Sequence, residues 1–245
     1  MNAAKGSFFA TTRWTLVGAA ARDGDSAALE ALGTLFETYW QPLYRYARRK
    51  GKTKEDAEDL VQGFFEHLME ARALQDIDRA KGRFRAFLLA SFNHWMINDW
   101  RRGARLKRGG EATVLSLDWE DAETGLKLDP EDRMSPDRHY DREWALALLG
   151  KVIGDLETAS AGEGNAVQFA VLKPCLTADS ARIGYAGIAA QLGASEGAAR
   201  VAVHRLRKRY RHLLTAEIAR TLASPDAVEE EMRSLFAALA DWKND

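Results

Sequence analysis

The sequence predicts an all-α protein made of two small helical domains joined by an acidic linker, with a helix-turn-helix in the second domain. Apolar residues recur at three-to-four spacing in several segments, no alternating strand pattern is evident, and only 5 of 245 residues are proline. Together these features favour helices. The hydrophobic share of 46% is ordinary for a globular protein, and the length suffices for two small cores.

Three amphipathic segments define the first predicted domain, residues 8–108. Each segment places its apolar side chains on one helix face. The members are Leu29, Leu32, Phe36, Tyr39, Leu43 and Tyr46 in the first, Ala57, Leu60, Val61, Phe64 and Leu68 in the second, and Phe84, Phe87, Leu88, Phe92, Trp95 and Met96 in the third. We expect Pro42 to kink or restart the first helix.

The third segment runs into a basic block. From residue 81 to 108 there are eight Lys or Arg residues, at 81, 83, 85, 101, 102, 105, 107 and 108, against one acid, Asp99. The block predicts a surface for a polyanion, and a solvated helix face is the plainer interpretation of the same charges. Interleaved aromatic residues suit an unpaired nucleic-acid strand, which binds through phosphate contacts and ring stacking. Most of these rings are expected in the core, with Trp100 as the exception.

An acidic segment, residues 109–138, is predicted to be a linker. Residues 111–143 hold eleven acids and four bases, and Asp129-Pro130 and Ser135-Pro136 are turn signals. Trp119 is expected to pack locally. The segment is too long for an ordinary connection between two helices.

Helical patterning resumes in the second predicted domain, residues 139–223, with a glycine-rich break at 162–164. Residues 224–245 form a C-terminal tail whose helix is expected to start near Ser224-Pro225-Asp226. Its predicted apolar stripe is Val228, Met232, Leu235, Phe236 and Leu239. We expect this tail helix either to pack on the second domain or to engage a partner.

The sharpest local pattern lies between Ile183 and Leu214. A short helix stops at Gly193, and Ser195 can cap a second helix that carries six Lys or Arg residues and no acid from 200 to 212. This pattern predicts a helix-turn-helix whose second helix enters the major groove of DNA. An ordinary helical hairpin with a basic outer face is the alternative. The candidate DNA contacts are Ser195, Glu196, Arg200, His204, Arg205, Arg207, Lys208 and Arg211.

Four segments in order resemble the extracytoplasmic-function (ECF) type of sigma-70 family sigma factors of bacterial RNA polymerase. Residues 39–49 read YWQPLYRYARR and residues 54–65 read KEDAEDLVQGFF. Residues 84–102 begin with FRAFL and end with NDWRR, and residues 185–209 contain the predicted helix-turn-helix.

The resemblance implies a function in transcription initiation. In that family the helix similar to 54–65 docks on the clamp helices of the polymerase largest subunit. The helix similar to 84–102 melts and reads the minus-ten promoter element, and the segment similar to 185–209 reads the minus-thirty-five element. The implied polymerase contacts are Asp56, Asp59, Gln62 and Glu66. The implied minus-ten contacts are Arg85, Asn98, Trp100, Arg101, Arg102 and Arg105.

These observations predict a sigma factor and not an enzyme, with core RNA polymerase and promoter DNA as partners and an anti-sigma protein or a kinase as a candidate regulator. No cofactor or metal is expected, because the histidines at 67, 94, 139, 204 and 212 show no metal-ligand spacing. One cysteine, Cys175, and no apolar run of about 20 residues predict a cytoplasmic protein. Val201 and Ala202 replace some of the polar residues that are usual in the recognition helix of the family. The resemblance therefore does not predict the promoter sequence.

Two other functions remain open from the residues alone. The first is a conventional helix-turn-helix repressor or activator with an N-terminal sensing domain. The second is an enzyme acting on nucleic acid. We also expect the acidic linker and the acidic tail to compete with phosphate for the two basic blocks, so that the free chain binds promoter DNA poorly. The linker is the stronger candidate, since the tail from Pro225 is alternatively a packed helix whose acids face solvent.

Overall fold

The computed structural model describes residues 26–69, 83–103, 118–124, 126, 134–222 and 224–240. Within these ranges the chain forms nine α-helices and no strand, which confirms the all-α fold class. The helices are α1 (Ser26–Arg49), α2 (Lys54–Met69), α3 (Phe84–Gly103), α4 (Trp119–Glu123), α5 (Pro136–Gly162), α6 (Ala166–Leu172), α7 (Tyr185–Leu192), α8 (Glu196–Arg220) and α9 (Val228–Ala240).

Some sequence predictions fall outside the described residues. These are the start of the first domain at 8–25, the linker stretches 109–117 and 127–133, and the end of the tail at 241–245. Among the helices that are described, none is long and apolar enough to cross a membrane.

The chain divides into two compact units. The first contains the described residues up to Ala147 together with those from Ile218 onward, and the second runs from Leu148 to Glu217. These boundaries differ from those predicted, which fell after 138 and after 223. The sequence does not mark them because each lies inside a continuous helix, α5 or α8, and no turn signal falls there.

Aromatic side chains from α1, α2 and α3 form the core of the first unit. Phe36 stacks on Phe65 with 4.2 Å between ring centroids, and Phe92 is fully buried. Gly63 lies where α2 approaches α3, and a Cβ at that position would come within 3.2 Å of the Trp95 ring. A larger residue at position 63 would therefore have to displace the Trp95 ring by a few tenths of an ångström.

Local signals set the ends of α1 and α2. Helix α1 does not restart at Pro42 but continues through it to Arg49. Proline removes one backbone donor, and the burial of Leu43 on the same helix favours continuation. Gly51, with φ of +83°, turns the chain, and Thr53 Oγ1 then accepts a hydrogen bond from the backbone N–H of Asp56 at 3.1 Å, which caps α2.

Part of the predicted linker is helical and packs on α1. Helix α4 begins after Asp118, whose carboxylate accepts a hydrogen bond from a backbone N–H of the first turn at 3.0 Å. The ring centroids of Trp119 and Trp40 lie 5.1 Å apart, and Glu123 pairs with Arg48 at 2.6 Å. The hydrogen bond from Arg48 holds the pKa of Glu123 below its usual value. Of the described linker acids, Glu123 therefore pairs with α1.

The second unit is built on α6, α7 and most of α8. Its core consists of buried Leu172, Cys175 and Val203, with partly buried Ile183, Tyr185, Ile188, Leu192, Ala202 and Leu206 packed around them. Helix α7 ends where the glycine signal predicted: Gly193 has φ of +58°, and the N–H of Ala194 donates to the carbonyl of Ala189 at 2.9 Å.

The tail helix α9 belongs to the first unit and not to the second, on which it was expected to pack. The buried residues of α9 are Glu231 and Leu235, whereas Phe236 of the predicted apolar stripe is 55% exposed. The packed face of α9 carries the carboxylate of Glu231, which pairs with the arginine side chains at the start of α3.

Candidate nucleic-acid and polymerase interfaces

The predicted polymerase contacts lie along one side of α2. Asp56 and Asp59 are exposed, while Gln62 and Glu66 are half-buried. The amide of Gln62 donates to the carboxylate of Glu66 at 3.2 Å, as the three-to-four spacing allows. The structure thus joins Gln62 and Glu66 by a hydrogen bond and leaves Asp56 and Asp59 exposed on the same helix.

The predicted minus-ten contacts are only partly described. Asn98 is half-buried on α3, and Trp100, Arg101 and Arg102 lie in the last turns of the same helix. The side chains of the last three, and all of Arg105, lie outside the described residues. Helix α3 is therefore continuous from its buried residues to the basic residues at its end.

Arg85 occupies a different environment from the one expected of a DNA contact. It is 3% exposed, and its guanidinium pairs with Glu231 at 2.8 Å and with Asp141. Its Cζ lies 4.6 Å from the centroid of the Trp144 ring. The Ser234 hydroxyl accepts a further hydrogen bond at 2.9 Å. In this arrangement the guanidinium is engaged inside the first unit and does not present itself to phosphate.

Arg83 lies beside Arg85 and shares its carboxylate partner. Its guanidinium pairs with Glu230 at 2.7 Å and with Glu231 at 2.8 Å. The backbone joins the same contact, because an antiparallel bridge pairs Arg83 with Leu222. The candidate contacts drawn from the sequence did not include Arg83. The run of three glutamates at 229–231 is the signal that could have indicated a basic partner for α9.

The start of α8 orders one candidate base-reading side chain. Ser195 Oγ accepts a hydrogen bond from the N–H of Ala198 at 3.2 Å, so the hydroxyl caps the helix as predicted. Arg200 pairs with Glu196 at 2.7 Å, and its Cζ lies 4.3 Å from the centroid of the Tyr185 ring on α7. These contacts hold an exposed guanidinium at the N-terminal end of α8. The other exposed members of the set are His204, Arg205, Lys208 and Arg211.

Arg207 fastens the chain segment that precedes α7. Its guanidinium donates to the carbonyls of Cys175 at 3.0 Å and Ala178 at 2.6 Å, and to the Ser180 hydroxyl at 2.5 Å. Spacing placed this arginine among the DNA contacts, but in the structure its hydrogen bonds hold the second unit together. Leaving a buried carbonyl without its hydrogen-bond donor costs free energy. We therefore infer that Arg207 positions the segment that precedes α7.

Arg209, which the sequence did not single out, pairs with Glu163 through two hydrogen bonds of 2.7 and 3.0 Å. This bond lowers the pKa of Glu163 and raises that of Arg209. Both groups are therefore charged at neutral pH. The pair ties α8 to the turn that follows α5.

The comparisons with known proteins locate one family region. The family model for sigma-70 region 2 matches residues 35–106, a range that contains α2 and α3 with most of α1. This match supports a sigma-70 family sigma factor, a class that takes part in promoter recognition by RNA polymerase and does not consist of enzymes. Core RNA polymerase and promoter DNA are the partners that such a region implies.

Neither the curated proteins nor the solved structures contain a match to the chain. In the part of the chain that the structure describes, no group of three or more His, Cys, Asp or Glu side chains could hold a metal ion.

Proposed function

We propose that the chain is an ECF-type sigma factor that directs core RNA polymerase to specific promoters and opens them in the cytoplasm. The observation that carries this proposal is the region 2 match over residues 35–106, which coincides with the exposed acidic side of α2. Control by an anti-sigma protein or a kinase is part of the same proposal and rests on the family resemblance.

In this proposal the first unit binds polymerase and the unpaired strand. Asp56, Asp59, Gln62 and Glu66 offer carboxylate and amide groups to a basic surface of the polymerase. The end of α3 supplies Trp100 for base stacking and Arg101 and its neighbours for phosphate contacts. Stacking of one base on an aromatic side chain is worth about 1–3 kcal/mol.

The second unit supplies duplex recognition in this proposal. Helix α8 enters the major groove, where its first turns reach base edges and its later basic residues reach phosphates. Arg200 is the candidate reader because Glu196 and Tyr185 already hold its guanidinium near the helix start. Arg211, three turns further along, is the candidate phosphate anchor.

The test of this function is reconstituted transcription with core polymerase over a genomic DNA library. We expect the chain to direct transcripts from a discrete set of start sites that core polymerase alone does not use. Specific binding to duplex DNA without polymerase, and no new transcripts with it, would instead favour a conventional repressor or activator.

Charge reversal on α2 should weaken polymerase binding. Asp59→Lys replaces an exposed carboxylate at the centre of the acidic side with a cation, so it repels the basic surface that we propose as partner. The measurement is the dissociation constant for core polymerase, with helix content followed by circular dichroism. Glu120→Lys, which makes the same charge change at an exposed position of α4, is the control. Wild-type affinity in the Asp59 variant would remove α2 from the polymerase interface.

Arg200→Ala should relax promoter discrimination. A bidentate contact from arginine to guanine is worth about 1–3 kcal/mol of discrimination against the wrong base. We therefore expect holoenzyme carrying this variant to lose the preference for matched over mismatched minus-thirty-five elements. Arg211→Ala is the control and should weaken both promoters alike. Equal losses on both promoters in the Arg200 variant would show that this arginine does not read a base.

A further inference from the structure

Helix α9 covers two arginines at the start of α3 with carboxylates of its own. Glu231 is 1% exposed and meets both guanidinium groups at 2.8 Å, while Glu230 meets Arg83 at 2.7 Å. The backbone N–H of Phe84 donates to the carbonyl of Thr221 at 3.1 Å, so the segment before α9 is fixed at the same place. We call Arg83, Arg85 and the surface between them the Arg83–Arg85 site.

The docked helix reverses the local charge of this site. With α9 in place, the two guanidinium groups face three carboxylates, those of Glu230, Glu231 and Asp141. Without α9, Asp141 alone remains, and the site carries a net positive charge. Burial raises the pKa of Asp141 and the charge of Glu231 raises it further, against the opposing effect of Arg85.

Two contacts of Arg85 do not involve α9. The Trp144 ring faces the Arg85 guanidinium at 4.6 Å, and the Tyr140 hydroxyl donates to the Arg85 carbonyl at 3.2 Å. Both side chains come from α5, and both are buried in the first unit. Guanidinium groups bind phosphate by the same forked geometry with which they bind carboxylate.

We propose that α9 is a built-in competitor at the Arg83–Arg85 site, which binds the backbone phosphates of single-stranded DNA when α9 is displaced. The assignment of that DNA to an opened promoter rests on the proposed function, whereas the competition itself does not. Apolar burial contributes little to this docking, because Leu235 is the one large apolar side chain of α9 that is buried in the described structure, so the ion pairs of Glu230 and Glu231 carry much of it. Burial of one such side chain stabilises by only about 1.5–3 kcal/mol.

The test compares DNA binding by full-length variants in the absence of polymerase. Glu230→Gln with Glu231→Gln removes the two competing charges and keeps the shape of both side chains. We expect tighter binding of a fluorescent 20-mer single strand at low salt. A plot of log affinity against log salt should also be steeper by about 0.7 for each additional phosphate that the site binds. Amide hydrogen exchange in α9 should become faster in the same variant.

Two further variants separate competition from a change in overall charge. Asp226→Asn with Glu229→Gln removes the same charge from exposed positions of the tail and should leave both the affinity and the salt slope unchanged. Arg83→Gln, added to the Glu230 and Glu231 changes, should abolish the increase in affinity. If the double glutamine variant loses its cooperative thermal transition, Glu230→Gln alone replaces it, with a smaller expected steepening.

The proposal is overturned if the double glutamine variant binds the single strand no better than wild type, or if the Asp226 and Glu229 control binds it equally tightly. These outcomes are distinct from failure of the sigma function. Promoter-specific transcription without any increase in DNA affinity would refute the competition alone. An increase in DNA affinity without any response of core polymerase would refute the sigma function alone.

Discussion

Replacing Trp144 with alanine should lower the free energy of unfolding of the first unit by about 3–5 kcal/mol, the usual cost of removing a fully buried large aromatic side chain. Trp144 is 0% exposed and faces the Arg85 guanidinium. The substitution would therefore leave a cavity beside the buried ion pairs of Arg85, and these charged side chains are poorly suited to fill it. Urea denaturation followed by circular dichroism measures the loss.

The same variant tests the boundary between the units. If Trp144 belongs to the first unit, amide hydrogen exchange should accelerate in α1 to α3 more than in α7. Leu146→Ala, at an exposed position two residues along α5, is the control and should change stability by no more than about 0.5 kcal/mol. Faster exchange in α7, with α1 to α3 unchanged, would place Trp144 in the second unit, as the sequence pattern predicted.

Arg85→Ala should destabilise the first unit by about 3 kcal/mol. Breaking a buried ion pair by removing one partner costs about 3–5 kcal/mol. We expect the lower end because Arg83 still pairs with Glu231. Asp141 loses its pairing with Arg85, and the Trp144 ring loses its cation. The measurement is again urea denaturation of the full-length chain.

Two variants check the physical reason for that loss. Arg209→Ala breaks the more exposed pair with Glu163 and should cost much less than Arg85→Ala, because exposed ion pairs contribute little to stability. Arg85→Met combined with Glu231→Met removes both buried charges and should recover part of the stability lost in Arg85→Ala. A cost for Arg85→Ala no larger than that for Arg209→Ala would mean that the Arg83–Arg85 site is solvated.

The sequence predicted the elements that local chemistry specifies. The all-α class followed from periodicity, and the end of α7 followed from Gly193, whose positive φ few other residues adopt readily. The cap at Ser195 was likewise readable, because a hydroxyl there has a backbone N–H within three residues. Each of these signals acts over one or two helical turns.

The partners of the arginines could not be predicted in this way. Arg85 and Glu231 lie 146 residues apart, and Arg207 and Cys175 lie 32 apart. A buried arginine and a solvent-facing one look the same in a periodic pattern, so spacing assigned Arg207 to DNA, as the family resemblance did for Arg85. Whether a guanidinium meets phosphate or carboxylate depends on which distant segment packs against it, and helical periodicity does not encode that choice.

The docking of α4 on α1 limits the distance that the connection between α3 and α5 can span. From Gly103 to Ser135 the chain could extend to about 110 Å, at roughly 3.4 Å per residue. With α4 held on α1 by Trp119 and by Glu123, two separate tethers remain, of about 50 Å before α4 and about 40 Å after it. A partner that draws the acidic segment beyond those spans must first detach Trp119 from Trp40. The fluorescence of Trp119 would then change in step with the extension.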